Sequence, residues 1–249
     1  MMNRISVISL AFLLLVFVAF QFVPPPSPSP KKQGRGAASG ESVASPVRQS
    51  ESSVVRIEAD GGFGTGFVCE VEGLERILTN GHVVPESSVS VKVCFGFGSD
   101  REVVVPAEVV KRDVDGAFDI CVLKVSHIPD WAVPLKTGSV QLRDSRSSST
   151  SGYPKGAWLS SIPIRLHDID WGATGVIVFS PPPVRGQSGS PIVDSHNNVH
   201  SVVTFRYDGS ETLGGATPIQ NWFNPKTVST ENELPEGWKR IGVNTQEGK

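Results

Sequence analysis

The chain has 249 residues, with 23 basic and 25 acidic side chains that give a formal net charge of -2 at pH 7. A chain of this length can hold one domain of ordinary size or a two-barrel domain with short additions. The balanced charge excludes the basic composition of nucleic-acid-binding proteins, so no nucleic-acid partner is predicted. Glycine and proline are plentiful, short Val- and Ile-rich runs recur, and long helical periodicity is absent, which favours an all-β domain.

The first element in chain order is an uncharged apolar stretch of 19 residues, 5–23, which follows Arg4. As a helix it would be about 28 Å long, enough to cross the hydrocarbon core of a bilayer. A secretory signal peptide has a similar outline but ends in a small-x-small cleavage site. Residues 19–21, Ala-Phe-Gln, match that site poorly. Residues 1–23 are therefore predicted to be an uncleaved transmembrane signal-anchor, with a cleaved signal peptide as the alternative.

Both alternatives predict that the rest of the chain is exported. Residues 24–50 are rich in Pro, Ser and Gly, a composition that is typical of a tether and cannot build a core. We expect a domain that is periplasmic, extracellular or lumenal and is held at the membrane through residues 5–23. If the N-terminal segment is cleaved, we expect a secreted protein.

From residue 54 onward, short strand-like runs follow one another in two sets of six. The first set comprises Val54–Glu58, Gly66–Val71, Arg76–Thr79, Val89–Phe95, Glu102–Val110 and Asp119–Val125. The second set comprises Trp158–Leu166, Gly175–Phe179, Pro191–Asp194, Val199–Arg206, Gly215–Ile219 and a less regular run at Ser151–Tyr153. Since closure removes exposed sheet edges, we predict two six-stranded antiparallel β-barrels, about 51–128 and about 136–225, joined near residues 127–135. Residues 226–249 are predicted to be a polar C-terminal tail.

The three cysteines, Cys69, Cys94 and Cys121, cannot all pair within one chain, so they predict no disulfide framework. Small buried hydrophobic side chains are the favoured interpretation. A single Cys69–Cys94 bridge is the alternative if the domain lies in an oxidising compartment.

Three short segments carry the residues of a nucleophilic enzyme. They are Thr79–Val84 (TNGHVV), Phe118–Ile120 (FDI) and Gly186–Pro191 (GQSGSP). A serine hydroxyl needs an imidazole to take its proton, and the imidazole needs a carboxylate to fix its tautomer and stabilise its cation. The order His82, Asp119, Ser188 along the chain is that of chymotrypsin-type proteases, and it differs from the subtilisin and α/β-hydrolase orders.

At these segments the chain resembles the trypsin-like peptidases, from roughly residue 52 to residue 223. Gly152–Gly156 (GYPKG) and Gly215–Ile219 (GATPI) are similar to segments of the Deg/HtrA-like branch. That branch usually carries a C-terminal PDZ domain, which is not expected here because few residues follow the second barrel. The resemblance implies the chymotrypsin-like fold, with the active site in the cleft between the barrels.

Asp113 and Asp115 compete with Asp119 for the role of the carboxylate. Asp119 precedes an apolar run, Ile-Cys-Val-Leu, and so resembles the Asp-Ile-Ala-Leu-Leu segment of the family. Asp113 and Asp115 lie in a polar turn, where solvated side chains are the rule. Asp119 is therefore the predicted partner of His82.

The resemblance also implies roles for residues around the nucleophile. The amides of Gly186 and Ser188 would form the oxyanion hole, and Pro182 would lie at the base of the primary specificity pocket. Because Pro182 carries no charge, a preference for Lys or Arg is not expected. Thr204, Phe205 and Arg206 would form the pocket wall and the edge that pairs with the substrate backbone. Arg206 would narrow the pocket, attract an acidic residue or face solvent.

The sequence as a whole predicts a serine endopeptidase that acts on protein or peptide substrates through an acyl-enzyme, without a cofactor or metal. His196 and His200 lack a helix and a third ligand at metal-site spacing. A protease-fold binding or scaffold module is the alternative, since Gly81 and Ser190 depart from the family pattern. Bacterial envelope proteolysis and viral polyprotein processing are both compatible settings.

Overall fold

The computed structural model describes residues 50–113, 118–139, 147–168, 175–207, 213–223, 237–242 and 244–245. The predicted signal-anchor and nearly all of the predicted linker lie outside these ranges. Within them, no helix is both long and apolar enough to cross a membrane.

Barrel one is a closed antiparallel sheet built from six strands in the first half of the chain. The strands are β1 (Val54–Ala59), β2 (Gly62–Val71), β3 (Leu74–Asn80), β4 (Val91–Phe95), β5 (Val103–Arg112) and β6 (Ile120–Val125). They are hydrogen-bonded in the order β1-β4-β5-β6-β3-β2, and β2 pairs again with β1 to close the barrel.

Barrel two repeats this arrangement in the second half of the chain. Its strands are β8 (Ser148–Gly152), β9 (Leu159–Asp168), β10 (Ile177–Ser180), β11 (Pro191–Val193), β12 (Asn198–Tyr207) and β13 (Gly214–Pro218). The order is β11-β8-β9-β10-β13-β12, closed by β11 on β12. A short β7 (Lys136–Thr137) pairs in parallel with β12 at the entry to this barrel, and helix α1 (Ile219–Phe223) follows β13.

The sequence dictates the tight hairpins of barrel one. Asp60 and Gly61, which join β1 to β2, both have positive φ, at 45° and 82°. Glu72 and Gly73, which join β2 to β3, repeat this at 52° and 75°. Two-residue loops with positive φ at both positions match the twist of the flanking strands, so each turn fixes the register of its hairpin.

A hydrophobic cluster shared by both barrels holds them together. Barrel one contributes residues of β2, β3 and β6, and barrel two contributes residues of β11, β12 and α1, as follows: Phe67, Cys69, Leu78, Ile120, Val122, Val193, Val199, Val202, Ile219 and Trp222. Burial of large aliphatic and aromatic side chains stabilises such an interface by about 1.5–3 kcal/mol each. The cleft between the barrels therefore has one side formed by each barrel.

The predicted all-β fold with two six-stranded barrels is confirmed. The run at Ser151–Tyr153 corresponds to β8, whose Ser- and Thr-rich sequence has little of the alternation that marks a strand. Three short strands are outside the predicted set. One is β7, and the other two lie in the segment interpreted as a polar tail. They are β14 (Trp238–Arg240), which pairs with β12, and β15 (Asn244–Thr245), which pairs with β2.

Cys69, Cys94 and Cys121 are free and buried, as expected for small hydrophobic side chains. Burial raises the pKa of each thiol from 9.0 to about 12.

At pH 8 the folded protein should therefore resist iodoacetamide, and unfolding should expose three reactive thiols, counted by intact mass. Because the unfolded thiols ionise first, the free energy of unfolding should fall as the pH rises from about 9 towards 12. Rapid alkylation of the folded chain at pH 8 would contradict this packing.

Candidate active site

His82 lies directly after β3, in a single 3-10 turn over Gly81–Val83. Its backbone N–H donates to Oδ1 of Asp119 at 2.8 Å, and its ring Nδ1 lies 2.5 Å from Oδ2 of the same carboxylate. Gly81 permits this close approach, because a Cβ there would lie 2.5 Å from the Asp113 carbonyl oxygen and 3.0 Å from Asp119 Oδ1. The departure from the family's usual alanine thus has a local steric reason.

Asp119 is fully buried immediately before β6, with a φ of 49°. Its carboxylate contacts His82 at two points, the backbone N–H and the ring Nδ1, which orients the ring and favours the tautomer with the proton on Nδ1. Its carbonyl oxygen accepts from the N–H of Gly81 at 3.0 Å and from Nδ2 of Asn80 at 2.9 Å. Asp113 instead accepts from the N–H of Phe118 at 3.4 Å, and Asp115 lies outside the described residues.

Ser188 reaches the same histidine from barrel two. Its Oγ lies 2.9 Å from Nε2 of His82, so the side chains form a continuous chain from carboxylate through imidazole to hydroxyl. Gly189 follows with a φ of 86°, and a Cβ there would lie 1.9 Å from the Thr65 carbonyl oxygen. Residues 186–190, here called the nucleophile loop, therefore pack directly against β2.

The peptide that joins Arg185 to Gly186 is oriented by a hydrogen bond from Lys155. Its carbonyl accepts from the N–H of Lys155 at 2.9 Å, and in a trans peptide the N–H points the opposite way. Gly186 has a φ of 91°, which only glycine adopts readily. Among the described residues no backbone carbonyl pairs with the N–H of Gly186 or of Ser188. Amides that donate to an oxyanion are expected to lack such a partner.

Thr65, which the sequence analysis did not single out, fixes the nucleophile loop. Its N–H donates to the Ser188 carbonyl at 2.8 Å, and its hydroxyl donates to the Gly186 carbonyl at 2.7 Å. The same hydroxyl accepts from the N–H of Tyr153 at 3.0 Å. The only signal in the sequence is its place between Gly64 and Gly66, where a small polar residue lies within a glycine-rich strand.

Thr204 belongs to the junction between the barrels rather than to a pocket wall. Its buried hydroxyl lies 3.0 Å from Nδ2 of Asn80 and 3.0 Å from the hydroxyl of Thr217. Its carbonyl faces the cleft and accepts from the N–H of Ile241 at 3.1 Å. The Thr204 backbone thus lies on the edge of β12 that faces Ile241, whereas its side chain joins the barrels.

The side chains of the other three predicted substrate-binding residues have separate surroundings. Phe205 is buried in a cluster with Val176, Val178 and Trp238. Arg206 is half-buried, and its backbone pairs with that of Lys239. Pro182 is half-buried in the loop after β10 and is not part of the hydrophobic cluster that receives Ile241.

A family model of the trypsin-like peptidase domain matches residues 64–202, more than half of the chain. The chain belongs to the trypsin-like peptidase family. The matched range contains His82, Asp119 and Ser188. Among curated proteins, the sequence of this peptidase finds no match.

Several solved structures share the fold of this peptidase. The Rv3671c protease from M. tuberculosis in its active form has 23% identity and a TM-score of 0.60, over 86% of this chain and 97% of that one. Deg5 has 24% identity and a TM-score of 0.59, over 72% and 89%. The HtrA-type protease AlgW has 20% identity and a TM-score of 0.58, over 72% and 60%. The predicted resemblance to the Deg/HtrA-like serine peptidases is confirmed.

The described part of the peptidase holds no group of three or more His, Cys, Asp or Glu side chains able to bind a metal. His200 is buried with its Nδ1 2.8 Å from the Ser201 hydroxyl, whereas His196 is exposed beside Ser195. These two histidines therefore have separate surroundings.

Proposed function

We propose that the peptidase is a serine endopeptidase that works through an acyl-enzyme, with His82, Asp119 and Ser188 as its triad. The continuous chain of contacts from Asp119 to Ser188 carries this proposal. Ser188 Oγ attacks the peptide carbonyl while His82 Nε2 takes its proton. His82 then gives that proton to the leaving amine, and water hydrolyses the ester. Asp119 orients the imidazole and stabilises its cationic form.

The N–H groups of Gly186 and Ser188 donate hydrogen bonds to the negatively charged oxygen of the tetrahedral intermediate. A donor in this position contributes about 3 kcal/mol to the transition state. Protein and peptide chains are the substrate class, since an extended backbone can pair with the edge of β12, as β14 does in this structure.

We further propose that the domain works outside the compartment of synthesis, tethered through residues 5–23 or secreted after their removal. The support is the length of the uncharged apolar stretch and the linker that follows it. Fractionation of cells that express the full chain tests this proposal. Recovery with the membrane pellet indicates a tether, whereas a shortened soluble form indicates cleavage.

A fluorophosphonate probe tests the catalytic proposal, because it forms a covalent bond only with an activated serine. The full chain should gain one adduct by intact mass. Ser188→Ala should gain none, and His82→Ala should lose at least about 99% of the labelling rate, since general-base catalysis contributes 10²–10⁴-fold. A folded wild-type chain that gains no adduct and does not hydrolyse an unfolded protein would favour a protease-fold binding module.

A further inference from the structure

The segment Gly237–Gly242, here called the cleft segment, runs along the edge of β12 beside the nucleophile. Its strand β14 is antiparallel to β12, with Trp238 opposite Tyr207, Lys239 opposite Arg206, and Arg240 opposite Phe205. An extended chain that adds to a free sheet edge is a common mode of peptide recognition. The cleft segment thus occupies the edge that the sequence analysis assigned to a substrate backbone.

Ile241 is placed at the nucleophile by both of its backbone groups. Its N–H donates to the Thr204 carbonyl at 3.1 Å, and its carbonyl oxygen lies 3.1 Å from Oγ of Ser188. Its side chain is only 4% exposed and is buried in the hydrophobic cluster of barrel two that includes Ile192, Val203 and Ala216. A β-branched aliphatic side chain therefore fills an apolar pocket beside Ser188.

The chain continues across the cleft beyond Ile241. A Cβ at Gly242 would lie 3.6 Å from Nε of Arg185, so the backbone passes the residue that precedes Gly186. Asn244 and Thr245 then pair with Phe63 and Gly62 of β2 in barrel one. The backbone enters along barrel two and leaves along barrel one, and residues 241 and 242 lie at the crossing point.

The burial of Ser188 and one side-chain contact also connect the cleft segment to the triad. Ser188 is only 1% exposed, although it lies in a cleft. Arg240 donates from Nε to Oδ2 of Asp119 at 3.1 Å, the same oxygen that lies beside Nδ1 of His82. While the segment is in place, it covers the nucleophile and shares the carboxylate with the imidazole.

We propose that the cleft segment is an intramolecular substrate, and that Ser188 cleaves the Ile241–Gly242 bond of its own chain. This inference rests on the proposed function. It assigns a processing site to the chain and a β-branched aliphatic residue to the position before the scissile bond. Cleavage releases the strand residues beyond Ile241 from β2 and opens one half of the cleft.

The reaction follows from the contacts at Ile241. The Ser188 proton moves to His82 Nε2 as Oγ bonds to the Ile241 carbonyl carbon, and the carbonyl oxygen turns towards the amides of Gly186 and Ser188. The bond to the Gly242 nitrogen then breaks, and that nitrogen takes the proton from His82. Water attacks the resulting ester with His82 as base, which leaves Ile241 with a free carboxylate and restores Ser188.

Incubation of the full chain, followed by intact mass, tests the proposal. Wild type should lose residues 242–249 and end at Ile241, whereas Ser188→Ala should stay whole. Gly242→Pro should also stay whole, because its tertiary amide lacks the N–H of the natural leaving group and its ring crowds the bond. The first-order rate should not change on tenfold dilution, since an intramolecular substrate has a fixed effective concentration.

Substitutions at Ile241 separate failure of this inference from failure of the proposed function. Ile241→Val should keep the cleavage, and Ile241→Asp should lose it and expose Ser188, so that fluorophosphonate labels it at least about tenfold faster, a difference of ~1.4 kcal/mol. Far-ultraviolet circular dichroism checks that Ile241→Asp is folded. If Ser188 is labelled but wild type stays whole or is cut elsewhere, the inference is wrong and the endopeptidase stands. If neither chain is labelled or cut, both proposals fail.

Discussion

Asp119→Asn is expected to lower kcat on an unfolded protein substrate by about 10⁴-fold, because an amide at this position favours the wrong imidazole tautomer. The carboxylate accepts from both the backbone N–H and Nδ1 of His82. The Asn side chain can present its NH₂ group to Nδ1, which then becomes the acceptor and leaves the proton on Nε2. In that tautomer His82 cannot take the Ser188 proton. Initial rates at saturating substrate measure the effect.

Asp113→Asn is the matched control for this prediction. Asp113 is the competing carboxylate that lies within the described residues, and its Oδ2 accepts from the N–H of Phe118. Activity should therefore stay within about twofold of wild type, as for substitutions away from the reacting groups. Equal losses in both variants, with folding intact, would remove Asp119 from the role proposed for it.

Gly189→Ala is expected to destabilise the domain by at least about 4 kcal/mol, which is exceptional for one methyl group. Two costs add. The φ of 86° costs an L-residue about 1–2 kcal/mol. The new Cβ would also lie 1.9 Å from the Thr65 carbonyl oxygen and 2.5 Å from Oγ1 of Thr79, so backbone must move. For a domain of this size, Tm should fall by about 8–16 °C, measured by calorimetry.

Gly61→Ala separates the two costs. Gly61 has a similar φ of 82°, but nothing lies within 4 Å of its Cβ position. This variant should lose only about 1–2 kcal/mol, the conformational cost alone. Its activity should be that of wild type, whereas Gly189→Ala should be inactive because Ser188 moves with its neighbour. A similar loss of Tm in both variants would mean that steric overlap between residue 189 and β2 adds little to the destabilisation.

The strands could be predicted wherever Val and Ile mark a buried face. All of barrel one is of this kind, and so are the strands from β9 to β12. Strand β13 has the sequence GGATP, without Val or Ile, and its segment is instead similar to one of the Deg/HtrA-like branch. Strand β8 was less evident, because its Ser- and Thr-rich residues are buried through backbone pairing rather than through apolar side chains. Strand β14 was missed because it is only three residues long, and two of them, Lys239 and Arg240, are charged. Its position is determined by pairing with β12 in the cleft, and its sequence is too short to show the alternation of a strand.

The triad could be named because its chemistry needs particular residue types in a particular order. The cleft residues could not, since a motif gives no contact between distant parts of the chain. Thr204 shows this: its backbone faces the cleft, while its side chain is used to join the barrels. A signal for the cleft segment does exist. Trp238 and Ile241 are large apolar side chains in an otherwise polar stretch, and both are buried.

The division of the site between two barrels also governs when the enzyme can first act. His82 and Ser188 are 106 residues apart in the chain, so their contact closes a very long loop and forms late in folding. Before the barrels dock, Ser188 is an ordinary alcohol and His82 an ordinary imidazole. A newly made or partly unfolded molecule is thus chemically inert towards its neighbours. The topology therefore delays activity until the two barrels have docked.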